Sequence, residues 1–137
     1  MGKILALDLG DKWVGVAISD ASGILARPYT TVVRGSLVKD LLKIIEQEKI
    51  IEVVVGHPLT MRGLESQQTK QTLALFELLK KKFQQVEWVL QDERLSSSFA
   101  TTLSKSSIHE KTKQNEHARA AAIILDMYLV RKNSSDV

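Results

Sequence analysis

The chain has 137 residues, 44% hydrophobic and 26% charged, with a formal net charge of +3. That length suits one domain with a real core, and the absence of cysteine excludes disulfides, thiolate zinc sites and cysteine nucleophiles. No apolar run reaches the roughly 18 residues of a membrane span, and "MGKILALDLG" is charged too early for a secretory signal, so a cytoplasmic setting with no membrane partner is expected.

Residues 3–8 and 13–19 are rich in Ile, Val, Leu and Ala in the manner of strands and are separated by the tight "LGDK" turn, which predicts a hairpin. Residues 24–34 read as a third strand, with Pro28 marking an edge or a bend. A helix is expected over 36–48, opening on Ser36 as N-cap and carrying Leu37, Val38, Leu41, Leu42, Ile44 and Ile45 at helical spacing. The nearly continuous apolar run "IIEVVVGHP" has the pattern of a buried parallel strand stopped by Gly56 and Pro58. A loop follows over 59–65, then a helix over 66–83 with Leu73, Phe76, Leu78 and Leu79 on one side. Residues 86–91 read as the fifth strand, 96–104 as a short helix, 104–115 as a loop, and 116–131 as a final amphipathic helix. Residues 1–131 thus form a single domain of α/β class, with 132–137 a flexible tail. Its mixed five-stranded sheet has three antiparallel strands, then parallel ones, and is flanked by helices.

In such sheets functional groups gather at the carboxyl ends of the parallel strands. Asp8, Gly56 and Glu93 all fall at or just beyond predicted strand ends. A carboxylate at the position of Asp8 either caps its turn or presents its oxygens to a cation. In "QDERLSSS", Asp92, Glu93 and Arg94 form either a surface ion-pair cluster or a metal carboxylate beside a phosphate clamp, because guanidinium grips phosphate with two donors. His57 and Arg62, in "VGHPLTMRG", are candidates to contact a polyanion, the alternative for His57 being a loop histidine with no role. Lys105, Lys111 and Lys113, with the triplet at 80–82, are either solvated surface charges or a nucleic-acid face.

Four segments, "ALDLGDKWVGVAISD", "VVVGHPLTMRG", "QDERLSSSFA" and "AAAIILDMYL", resemble in their order and spacing the YqgF (RuvX) family of Holliday junction resolvase-like proteins, also described as pre-16S rRNA nucleases. The resemblance covers nearly the whole chain. It implies a ribonuclease H-like fold and a nuclease dependent on Mg²⁺ or Mn²⁺, with Asp8 and Glu93 as its first two acids. The expected role is processing of the pre-16S rRNA 5′ end in ribosome biogenesis. The alternatives are a Holliday junction resolvase in DNA repair and recombination, or a non-catalytic nucleic-acid-binding protein of the same fold. The implied partner is nucleic acid, an RNA precursor or branched DNA, held by a monomer or a homodimer through Lys12, Arg62, Arg94, Lys105, Lys111 and Lys113.

The last helix departs from the family pattern. Where the family carries an aspartate before its alanine-rich run, this chain has His117. His117 is therefore a candidate catalytic group, able to ligate Mn²⁺ or to act as a base. Its neighbour Glu116 is a candidate metal ligand, but adjacent helical residues point about 100° apart, so it can take that place only if the helix start shifts or unwinds.

Overall fold

The computed structural model describes residues 2–57, 67–92 and 113–135. Five strands form one sheet: β1 (Lys3–Leu9), β2 (Trp13–Ser19), β3 (Ala26–Val33), β4 (Ile50–His57) and β5 (Glu87–Asp92), in the order β3-β2-β1-β4-β5. The first three strands are antiparallel neighbours, and β4 and β5 then run parallel to β1, as the sequence pattern predicts. Three helices accompany the sheet: α1 (Leu37–Glu48), α2 (Gln67–Lys82) and α3 (Lys113–Ser135).

Strand alternation sorts the core into two halves. Leu5, Leu7 and Leu9 of β1, with Val14, Val16 and Ile18 of β2 and Val53 and Val55 of β4, pack with Leu37, Leu41, Ile44 and Ile45 of α1 and Phe76 and Leu79 of α2. On the opposite face Ile4, Ala6, Ala17 and Val54 pack against Ala121, Ile124, Leu125, Tyr128 and Leu129 of α3. The large buried side chains of α3 begin at Ile123, while the turns before it contribute Ala118 and Ala121, both buried. Small residues on both partners let the start of α3 settle close onto β1 and β2. A buried polar tie holds the other end: Tyr128 Oη donates to Glu52 Oε2 at 2.6 Å, and Lys132 Nζ to Glu52 Oε1 at 3.0 Å.

Several boundaries differ from the sequence reading. β3 begins at Ala26, and Ile24 and Leu25 are exposed because they belong to a turn capped by Asp20. Asp20 Oδ1 accepts hydrogen bonds from the backbone N–H of Ile24 at 2.8 Å and of Leu25 at 3.1 Å, which makes it a structural turn residue. Its hydrogen bonds from Ser22, Ile24 and Leu25 pull its carboxyl down to about 2. A short 3₁₀ turn, Arg34–Ser36, precedes α1, and Ser36 gives its hydroxyl to Asp40 Oδ2 at 2.8 Å rather than capping the helix. On α2, Phe76 and Leu79 are buried with Phe83 just beyond the helix, but Leu78 is exposed, since two residues turn a helix by about 200°. α3 begins three residues before the predicted 116 and continues to Ser135. The short helix expected over 96–104 lies outside the described residues.

Candidate active site

Asp8 continues the α3-facing row Ile4, Ala6 along β1, so its carboxylate stands on the same side of the sheet as the last helix. It is the next residue after the fully buried Leu7, near the carboxyl end of the central strand. Burial pushes the Asp8 carboxyl above its ordinary value of 3.8, and the nearby charge of His117 opposes that shift. No described residue donates a hydrogen bond to this carboxylate or forms an ion pair with it. A desolvated acid without a donor is costly unless a positive group arrives to match it.

The close approach of His117 to Asp8 depends on a glycine of β2. Gly15 is the cross-strand partner of Asp8. A Cβ at Gly15 would overlap the carbonyl of His117 and stand 3.0 Å from the N–H nitrogen of Ala118, so the backbone of α3 rests directly on β2 at this point. Gly10 follows β1, and a Cβ there would stand 3.7 Å from Cε1 of the His117 ring, which places the imidazole over the end of β1. The turn beneath it is held tightly. Gly10 N–H donates to the Trp13 carbonyl at 3.0 Å, and Arg34 N–H to the Lys12 carbonyl at 2.9 Å. Arg34 Nη1 also donates to the Gly10 carbonyl at 2.8 Å.

The other predicted site residues separate into three groups. Glu116 is exposed, and α3 is already regular helix at that residue, having begun at Lys113. Lys12 is exposed on the turn after β1. Lys113 is the first residue of α3. Glu93, Arg94, Arg62, Lys105 and Lys111 lie outside the described residues; β4 and β5, which lead to the segments holding Glu93, Arg94 and Arg62, end side by side with His57 paired to Asp92. Among the described residues no three His, Asp or Glu side chains cluster as a metal site. Asp8 and His117 alone offer one oxygen and one nitrogen donor, a pair that suits Mn²⁺ and, less well, Mg²⁺. Sequence reasoning passed over Gly15 and Arg34. A lone glycine inside a strand is a recognisable sign of close backbone approach, whereas nothing local marks Arg34.

A five-stranded mixed sheet of this order, with acids toward the carboxyl ends of its parallel strands, is the RuvC-like form of the ribonuclease H fold. The solved structure of T. thermophilus RuvC with a Holliday junction substrate superposes with a TM-score of 0.63 at 14% identity, covering 97% of both chains. A second Thermus thermophilus RuvC structure gives 0.60 at 14% identity over 96% of both chains. Residues 2–131 match the family model described as "RuvX: Holliday junction resolvase", and the chain belongs to that family. A relative from Sulfurihydrogenibium sp. is 34% identical, with 99% of this chain and 95% of the relative covered. One from Carboxydothermus hydrogenoformans is 38% identical, with 97% and 99% covered. Both bear the description "Putative pre-16S rRNA nuclease". No helix among the described residues is long and apolar enough to cross a membrane.

Proposed function

We propose that this chain is a metal-dependent nuclease that cleaves structured RNA, with the 5′ end of pre-16S rRNA as its substrate. The observation that carries the reading is the recessed Asp8 carboxylate, raised in pKa by burial, without a hydrogen-bond donor among the described residues and faced by His117. The description shared by its relatives supports pre-16S rRNA as the substrate.

A divalent ion, when bound, supplies an acidified water and neutralises charge on the leaving oxygen of a phosphodiester. Asp8 offers it a hard oxygen from a strand fixed on both sides by β2 and β4. Glu93, the residue after the end of β5, is the second acid of this reading. The His117 imidazole either adds a nitrogen ligand or accepts a proton from the attacking water. The exposure of Glu116 favours His117 for that third position. Lys12 sits on the turn three residues past the end of β1 and gives a cation for the substrate phosphate. Arg62, Arg94, Lys105, Lys111 and Lys113 are the further basic residues of this reading.

The test is cleavage of a pre-16S rRNA fragment and of a four-way DNA junction, each with Mg²⁺ and with Mn²⁺. Metal-dependent RNA cleavage that disappears in Asp8→Asn while RNA binding persists is the expected result. Cleavage of the junction alone would move the chain to a resolvase. Binding of RNA with no cleavage under either metal would make it a nucleic-acid-binding member of the fold, a reading drawn from the histidine standing where the family has an acid.

A further inference from the structure

Among the described residues one buried side-chain atom lacks a hydrogen-bond partner, the amide oxygen Oε1 of Gln91. The residue is 5% exposed. An amide oxygen is a strong acceptor, and native interiors pair nearly all such atoms. Leaving one unpaired is a standing cost to the fold, and such costs collect where function requires them.

Its place in the sheet says what that function is. Trp88 and Leu90 pack against the core on the α1 and α2 side, and Val89 against the core under α3. Alternation therefore puts Gln91 on the α3 side, the side that Asp8 faces. Gln91 is in register with Gly56 of β4, and the parallel pairing of Leu7 with Val55 brings Asp8 beside that same Gly56. Asp8, Gly56 and Gln91 thus form one row across three strands at the carboxyl end of the sheet. The middle member has no side chain. At the ~4.8 Å spacing of strands, the backbones of Asp8 and Gln91 are about 10 Å apart. A metal–oxygen bond followed by a hydrogen bond spans about 5 Å, which suits side chains reaching inward from that separation.

We propose that Gln91 is a positioning residue of this site, whose amide oxygen accepts a hydrogen bond from an O–H group that arrives with the site's occupant. Two sources carry that chemistry, a water in the hydration shell of a divalent ion at Asp8 and a ribose 2′-hydroxyl of the RNA. The proposal rests on the nuclease reading for its occupant, and its first measurement is independent of cleavage.

Gln91→Met keeps the length of the side chain and removes the acceptor. Without metal, its melting temperature is expected to rise by roughly 3 °C, because an unpaired buried oxygen is gone. Calorimetric titration with Mn²⁺ alone is expected to show roughly tenfold weaker binding in the variant if the donor is a hydration water. If the donor is the 2′-hydroxyl, Mn²⁺ binding stays as in the native chain. The loss then falls on the cleavage of all-ribose RNA, and it is absent for an RNA with one 2′-deoxy nucleotide at the cleaved position. Gln91→Glu, which keeps an acceptor oxygen at the same reach, is expected to recover what Gln91→Met loses. A lower melting temperature in Gln91→Met would show a side chain already paired and would overturn the proposal. Unchanged Mn²⁺ binding together with unchanged RNA cleavage would overturn it as well. A native chain that binds Mn²⁺ but cleaves nothing would defeat the nuclease reading. The Mn²⁺ titration would then decide the hydration-water source, and the affinity of Gln91→Met for all-ribose against 2′-deoxy RNA would decide the hydroxyl source. No change in either would overturn the proposal.

Discussion

Gly15 and His117 occupy the same small space: the carbonyl of His117 lies where the β-carbon of any other residue at position 15 would go. Because Gly15 pairs with Asp8, this contact sets how closely α3 approaches the acid. Gly15→Ala is therefore expected to lift the first turns of α3, at a cost of about 1–3 kcal/mol typical of overpacking. Cleavage should fall further than the loss of folded protein explains. Denaturant titration beside a cleavage assay at saturating metal checks this, and activity that merely follows the folded fraction would contradict it.

Asp8→Asn is expected to raise stability at neutral pH while removing activity. Burial raises the carboxyl's pKa in the folded state above its ordinary 3.8, so the folded protein holds a proton that the unfolded chain has released. Stability then declines as pH rises from about 3.8 through the raised value, and the native chain carries that penalty at pH 7. Asn, which has no charge to bury, escapes it. Melting temperatures taken from pH 3 to 8 should show the variant's advantage growing with pH and vanishing at the acid end. Saturating Mn²⁺ should stabilise the native chain and leave the variant unmoved.

His117→Asp is expected to change which metal works best. An imidazole is a better ligand for Mn²⁺ than for Mg²⁺, and a carboxylate serves both. The ratio of Mg²⁺-supported to Mn²⁺-supported cleavage should rise in the variant. An unaltered ratio would remove His117 from the metal and leave it the role of proton acceptor, which a shifted pH–rate profile of His117→Ala would then report.

Tyr128→Phe tests the far end of α3. It removes the hydroxyl that donates to Glu52 at 2.6 Å and leaves that buried carboxylate with Lys132. Burial and the Glu52 carboxylate push the Tyr128 hydroxyl well above its ordinary value, so it remains a donor throughout the working pH range. A loss of about 1–3 kcal/mol by denaturant titration is expected. The metal preference of cleavage should not change, since the tie lies several turns from His117.

Much of this architecture is legible in the residues themselves. Two short apolar runs around a tight turn give the hairpin of β1 and β2, the nearly continuous apolar run in β4 marks a buried parallel strand, and an acid near the end of such a run stands out as Asp8 does. Periodicity fails where a side chain serves two patterns. Leu78 fits an apolar count on α2 yet turns to solvent, and Ile24 and Leu25 look like strand but belong to the turn that Asp20 ties. The meeting of His117 with Asp8 is a tertiary event between residues far apart in sequence. Only Gly15 announces it locally, by the missing side chain that lets two backbones touch. Gln91 gave no local signal, because an unpaired acceptor is a property of surroundings rather than of sequence.

The tie between Glu52 and Tyr128 and the close seat on Gly15 hold α3 at two places along its length. Asp8 belongs to the central strand, whose amides open only when the whole sheet comes apart, whereas His117 lies within five residues of a helix start, where opening needs few broken contacts. The two halves of the site are therefore expected to open differently, the acid with the whole sheet and the imidazole with the first turns of one helix. Hydrogen exchange should record this as slow, global exchange at Asp8 and fast, local exchange around His117. Binding of a metal should slow the second and leave the first where it was.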